Sequence, residues 1–259
     1  MNTVFSQKKE QFKRLRIFNL VMGFFHFAQG VIMLLISSDF TQSLTTNFLD
    51  LDVESRTATN VTEEVFDVNL APFVALFLFI SAFFHFLLGT VAYKWYAKNL
   101  KQNINYARWY EYSISSSIMI VLIGVLVGIF DVFALLMLFS LNASMNLFGL
   151  LMEKLNQYTK KTNWLPFIYG VFAGIIPWIV IAAYFIGAVE SVGDIIPDFV
   201  YGILISIFIF FNIFAINMYL QYQKIGPWKN YLFGETMYIV LSLVAKSALA
   251  WQVWSGTLR

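Results

Sequence analysis

Cysteine is absent from the 259 residues, which excludes a disulfide framework, thiol chemistry and any thiolate metal site. Charge is scarce as well: Asp, Glu, Lys and Arg make up 12% of the chain, about half the share found in a soluble domain. Histidine occurs only as His26 and His85, and no third ligand stands at a spacing suited to a metal. What is abundant is apolar: 59% of residues are hydrophobic, 19% are aromatic, 28 are Phe, and the mean hydropathy is +0.69. No soluble fold hides that much apolar surface.

The apolar residues fall in separate runs of roughly 20, each long enough to cross a hydrocarbon core about 30 Å thick as a helix. Backbone groups in lipid must bond within their own segment or within a closed barrel. Runs such as Ile118–Ile129 do not alternate, which excludes barrel strands. The expected class is all-α: one seven-helix membrane domain over residues 1–259, with spans at Ile17–Ile36, Leu70–Tyr93, Tyr106–Phe130, Val132–Met152, Trp164–Gly187, Phe199–Tyr222 and Tyr231–Ser255. Pro72, Pro197 and Gly226-Pro227 mark span ends, and Pro177 inside span five is expected to kink it. The first run is too long for a secretory signal and lacks a small-residue cleavage site. No internal repeat or low-complexity tract is evident.

Basic residues are sorted by side. One face collects Lys8, Lys9, Lys13, Arg14 and Arg16, then Lys94, Lys98, Lys101 and Arg108, then Lys154, Lys160 and Lys161, then Lys224 and Lys229. The other face has Arg56 and Arg259 against Asp39, Asp50, Asp52, Glu54, Glu63, Glu64, Asp67, Asp131, Glu190, Asp194 and Asp198. The positive-inside rule then puts the N-terminus in the cytoplasm and the C-terminus outside, in the cell membrane among its lipids. A net charge of +2 thus reads as topology and gives no reason to expect nucleic acid. The link Ser37–Asn69 is too long for a structureless connection. Its stretch Thr57–Val68 is rich in Thr and Val, which predicts a small β-hairpin over the outer face, with a mobile acidic loop as the alternative.

Only Lys246 in span seven and Glu111 in span three read as ionisable groups far from a span end. Each would cost about 2.5–3.5 kcal/mol at mid-membrane if unpaired, so both are expected to face inward and pair. Glu111 lies roughly 15 Å beyond Lys101, and Lys246 roughly 25 Å beyond Lys229, along helices entering from the same side. The lysine stem leans back toward its own N-terminus, toward the level of the carboxylate. A desolvated lysine amine attacks an aldehyde to give an imine, and a protonated imine requires a counter-anion, which Glu111 would supply. A plain structural or proton-relay Lys–Glu pair, as in many transporters, satisfies the same residues.

Ser242 lies one turn before Lys246, and Ser115 and Ser116 one turn beyond Glu111, in reach of the pair. For most of Ser113–Ser117, bonding to their own helix backbone is the simpler reading. His26 and His85, with Ser81 on the latter's face, are buried by position; such imidazoles act as proton acceptors or as satisfied polar core. Trp109, Trp164 and Trp228 read as interfacial anchors, whereas Trp178, Phe211 and Trp251 either wall a flat polyene or pack ordinarily.

The stretch Arg108-Trp109-Tyr110-Glu111-Tyr112-Ser113, the run Ser115-Ser116-Ser117-Ile118-Met119 and Ser242-Leu243-Val244-Ala245-Lys246 resemble the signatures of the heliorhodopsins. Asn142–Gly149, Pro177–Phe185 and Phe211–Gln221 extend the resemblance over spans three to seven, with His26, Gln29, Ser81 and His85 at matching places in spans one and two. The resemblance implies all-trans-retinal on Lys246 as a protonated Schiff base, Glu111 as counterion, and Ser81, Ser116 and Ser242 hydrogen-bonded around it. It further implies a pocket with Gln29, Tyr112, Asn142, Met145, Trp178, Phe211 and Trp251, a proton-accepting cluster of His26 and His85, an inverted topology, a homodimer and an unidentified signalling partner. Microbial rhodopsin pumps carry further carboxylates four residues before the lysine and eleven beyond the counterion, where this chain has Ser242 and Leu122. The expected function is therefore a non-enzymatic light sensor and not an outward pump. A light-gated or light-driven ion transporter, and a retinal-free transporter, are the alternatives.

Overall fold

The computed structural model describes residues 2–192 and 198–259; Asp194 and Pro197, read above as an outer acid and a span boundary, lie outside them. Eight α-helices and one hairpin follow in the order α1 (Asn2–Ile36), β1 (Thr41–Asp52), β2 (Thr57–Asn69), α2 (Leu70–Gly89), α3 (Tyr93–Leu100), α4 (Tyr106–Leu126), α5 (Val132–Leu155), α6 (Leu165–Val192), α7 (Asp198–Gln223) and α8 (Tyr231–Val253). Among the described residues seven helices, all but α3, are long and apolar enough to cross a membrane. The expected class holds: a seven-helix membrane bundle with a small antiparallel sheet.

Asparagine and aspartate start the spans. Asn69, Asn105, Asp131 and Asn230 each accept a backbone N–H from the first turn of α2, α4, α5 and α8, and each such cap stabilises by about 1 kcal/mol. Four boundaries differ from expectation by four residues or more, two of them the end of α4, at Leu126 instead of Phe130, and the end of α6, at Val192 instead of Gly187. The basic N-terminal segment continues α1 outward as helix, since nothing there breaks a helix before the apolar run. Span two stops at Gly89 and a separate short helix, α3, begins at Tyr93, because Lys94 and Lys98 cannot continue a lipid-facing stripe. Pro177 lies within α6, which runs on to Val192.

The hairpin pairs Thr41 with Asn69 through to Asp52 with Thr57, with a bulge beyond Leu44. The β-rich stretch foreseen is its second strand, and the partner is the preceding segment. Leu44 is buried in the bundle core, and the Thr45 N–H donates to Phe130 O at 2.9 Å, so the hairpin is fixed to the α4–α5 turn. The C-terminus lies at this same end, where Ser38 N donates to Leu258 O. The opposite end holds α3 and the α5–α6 and α7–α8 connections. Neighbours in the bundle are α1 with α2, α2 with α4, α4 with α5, α5 with α6, and α8 with both α7 and α1. The deepest helix is α4, nearly three quarters of whose span is buried.

Candidate functional site

Lys246 and Glu111 meet inside the bundle. Lys246 Nζ lies 3.2 Å from Glu111 Oε1, with both side chains under a tenth exposed. The hydroxyl of Ser242, one turn back on α8, accepts from Lys246 Nζ at 2.8 Å. Ser81 on α2 donates to Glu111 Oε1 at 2.6 Å. The ammonium also sits over the Tyr112 ring, 5.0 Å from its centre, a cation–π contact that strengthens when desolvated. Three helices thus supply one ion pair, two hydroxyls and one aromatic floor. Such a pair persists out of water only when both members keep partners.

Ser116 points elsewhere. Its hydroxyl donates to Tyr112 O and accepts from Asn142 Nδ2 at 2.7 Å and Asn146 Nδ2 at 3.0 Å, joining α4 to α5 instead of reaching the pair. Ser113 and Ser117 bond their own helix backbone, as residue chemistry suggested. His26 and His85 stack with ring centres 5.5 Å apart and planes 10° from parallel. His85 Nδ1 is 2.9 Å from Asn19 Oδ1, while both ring nitrogens of His26, fully buried, have no hydrogen-bond partner among the described residues. A small cavity of about 30 Å³ is lined by His85, Ser81, Glu111, Arg108 and Glu235, room for a water molecule by volume.

The Tyr112 ring that floors the lysine also borders a larger apolar cavity of about 130 Å³, which neither Lys246 nor Glu111 lines and which is walled by Tyr112, Met145, Trp178, Phe211, Phe214 and Tyr238 among others. Trp178 meets Phe208 and Phe211 edge-on at 5.2 and 5.5 Å, so α6 and α7 face each other through an aromatic layer. Gly174 keeps the wall open, since a Cβ there would overlap the Met145 sulfur. Of the pocket residues implied by resemblance, Tyr112, Met145, Trp178 and Phe211 line this cavity; Asn142, Gln29 and Trp251 do not. Trp251 is 39% exposed and donates to Gln29 Oε1 at 3.1 Å, a link between α8 and α1.

A second ionic centre was missed. Arg108, assigned above to the basic face, is 5% exposed, and its guanidinium bridges Glu153 on α5 and Glu235 on α8. Glu153 also accepts from Asn105 N, Trp109 Nε1 and Tyr231 Oη. Trp109 is therefore a buried tie and not an interfacial anchor. Position near a span end suggested solvent for these groups, but α4 is central and its end is roofed by the connecting loops. The signal was available: Arg108 stands three residues from Glu111, on one helix face.

A membrane bundle with an internal lysine–carboxylate pair and an aromatic cavity defines a seven-helix protein built around one buried amine–carboxylate pair. Residues 15–258 match the heliorhodopsin family model, and the chain belongs to that family. No curated protein matches it. Membership makes it a multi-pass membrane protein of a retinal-binding, photoreceptor-type class. The residues present suit such a ligand: a buried primary amine with its own carboxylate, sharing the Tyr112 ring with an apolar space shaped by aromatics and a glycine.

Proposed function

We propose that this protein is a light sensor in which all-trans-retinal is held on Lys246 as a protonated Schiff base with Glu111 as counterion. The observation that carries it is the buried Lys246–Glu111 pair at 3.2 Å, which shares the Tyr112 ring with the aromatic cavity. Retinal, when bound, supplies visible absorption and a change of shape on illumination. The chain's own groups do the rest. Glu111 holds negative charge at the lysine nitrogen; Ser81 fixes Glu111 Oε1 by donating to it. Ser242 holds the nitrogen's side of α8 in place. Trp178 and Phe211 confine an apolar chain between α6 and α7 and exclude water.

His26 and His85 provide the nearby acceptor for a proton released at Lys246 Nζ. With Ser242 and Leu122 where pumps carry carboxylates, the proton has no relay across the membrane and returns to its origin. The distribution of basic residues supports an N-terminus inside and a C-terminus outside, and the family resemblance supports a homodimer with a signalling partner. The test is expression with all-trans-retinal, a visible spectrum and borohydride trapping at Lys246. A colourless protein with no adduct refutes the reading. A sustained, protonophore-sensitive pH change under light would instead establish a transporter.

A further inference from the structure

The N-terminal end of the bundle encloses a cup of about 900 Å³ that the retinal site does not use. It is ringed by α1, the α3–α4 linker, the α5–α6 loop, the end of α7 and the start of α8. Lys101, Lys160, Lys224 and Lys229 line it, from three connections: the α3–α4 linker, the α5–α6 loop and, for the last two, the α7–α8 connection. All four are exposed, and none has a carboxylate within 4.0 Å among the described residues. The topology rule explains lysines on this face; it does not explain their convergence on one hollow. The acid in the lining, Glu153, is taken up by Arg108 and three further donors, so the cup is net positive.

The rim is held in shape. Asn156 and Asn163 bond each other in both directions across the α5–α6 loop, at 2.6 and 3.1 Å, and Thr159 joins them. On the facing side Trp228 Nε1 donates to Asn217 Oδ1 at 2.6 Å and Gln221 to Tyr231 O, which fixes the 3₁₀ turn Gly226–Lys229. Lys224 occupies a left-handed position, φ 53°, at the end of α7, where glycine costs least. A volume of 900 Å³ lies within the range of small-molecule sites, and fixed rims reduce the ordering cost of binding.

We propose that this cup binds a small soluble polyanion carrying two or more phosphate or carboxylate groups. Most of its lining comes from connections between helices, beyond the apolar spans, which favours a dissolved ligand over a lipid headgroup. The proposal is independent of the retinal reading, because binding is measured in the dark by calorimetry.

The protein is placed in nanodiscs of zwitterionic phosphatidylcholine and titrated with pyrophosphate and with citrate. At least one is expected to bind saturably at one per chain, with affinity falling as salt rises. The triple variant Lys160→Gln, Lys224→Gln, Lys229→Gln should weaken it at least about tenfold, and Lys94→Gln with Lys98→Gln, outside the cup, should leave it unchanged. These lysines are exposed, and a melting curve checks that each variant folds. Absence of saturable binding by both probes overturns the proposal, as does binding indifferent to the triple variant. Stabilisation that requires phosphatidylglycerol in the discs assigns the lysines to lipid headgroups and also overturns it.

Discussion

Replacing Arg108 by Gln should be among the most destabilising single changes in the bundle. The guanidinium is the one cation between two carboxylates that are 2% and 1% exposed, so its removal strands two buried acids side by side. Breaking a buried ion pair by deleting one partner costs about 3–5 kcal/mol. The two acids do not suffer alike. Glu153 retains the Asn105 N–H, the Trp109 indole and the Tyr231 hydroxyl, whereas Glu235 retains only Asn105 Nδ2 at 2.8 Å. Adding Glu235→Gln to Arg108→Gln should therefore recover about 1–3 kcal/mol, the penalty of an unsatisfied buried group, whereas Glu235→Gln alone should destabilise. Reversible unfolding in mixed micelles, run as a double-mutant cycle, measures the coupling. A single Arg108→Gln variant within about 1 kcal/mol of wild type, or a double variant no more stable than the single, would refute the assignment of Arg108 as the shared cation.

Four further outcomes are expected. Glu111→Gln, in retinal-reconstituted protein, should shift the visible band to longer wavelength or bleach it, since the anion facing the lysine nitrogen is lost; an unchanged spectrum reassigns the counterion. Changing His26 and His85 together to Phe should alter flash-photolysis kinetics while leaving the dark band nearly in place, and identical kinetics would remove them from the proton path. Gly149→Ala drives a Cβ into the Trp109 ring and should lower stability by about 1–3 kcal/mol, visible as a lower melting temperature. At the hairpin tip the Ser55 hydroxyl, then the Ser55 and Glu54 N–H groups, hold the Asp52 carboxyl below its ordinary value of 3.8. This contribution is present above the unfolded value and lost as pH falls through the lower folded one, so NMR titration should show the Glu54 and Ser55 amides moving only below that ordinary value.

The bundle was readable because lipid imposes one rule on every span: a long apolar run closes its own hydrogen bonds. Starts were sharper than ends for the same reason that asparagine and aspartate caps are local. Asn105 and Asn230 sit beside the residues they cap, whereas the stop at Gly89 depends on how Lys94 and Lys98 meet solvent. The hairpin was legible in one strand only. The Thr and Val stretch of β2 announces itself, while β1 carries Asp50, Asp52 and Leu49 and gains its register from β2 and from Thr45 docking on Phe130. The central pair was legible by depth alone, since no other charge lies so far from both faces.

Depth misled where the bundle's centre and its axis had to be told apart. Arg108, Glu153 and Glu235 lie near one end of their helices, and a count along each chain segment makes them surface groups. Burial is set across the helices, and α4 has neighbours on nearly every side. That places Arg108 and Glu111 one turn apart on the same interior helix, each paired with α8, through Glu235 and Lys246 respectively. The small cavity lined by both Glu111 and Arg108 joins the two centres, and Glu153 reaches from the second into the lysine-lined cup. Arg108 and Glu111 share the wall of the small cavity, while the Arg108 guanidinium itself is committed to Glu153 and Glu235. Both centres are thus held between the same two helices, α4 and α8, with α5 joining the second of them through Glu153.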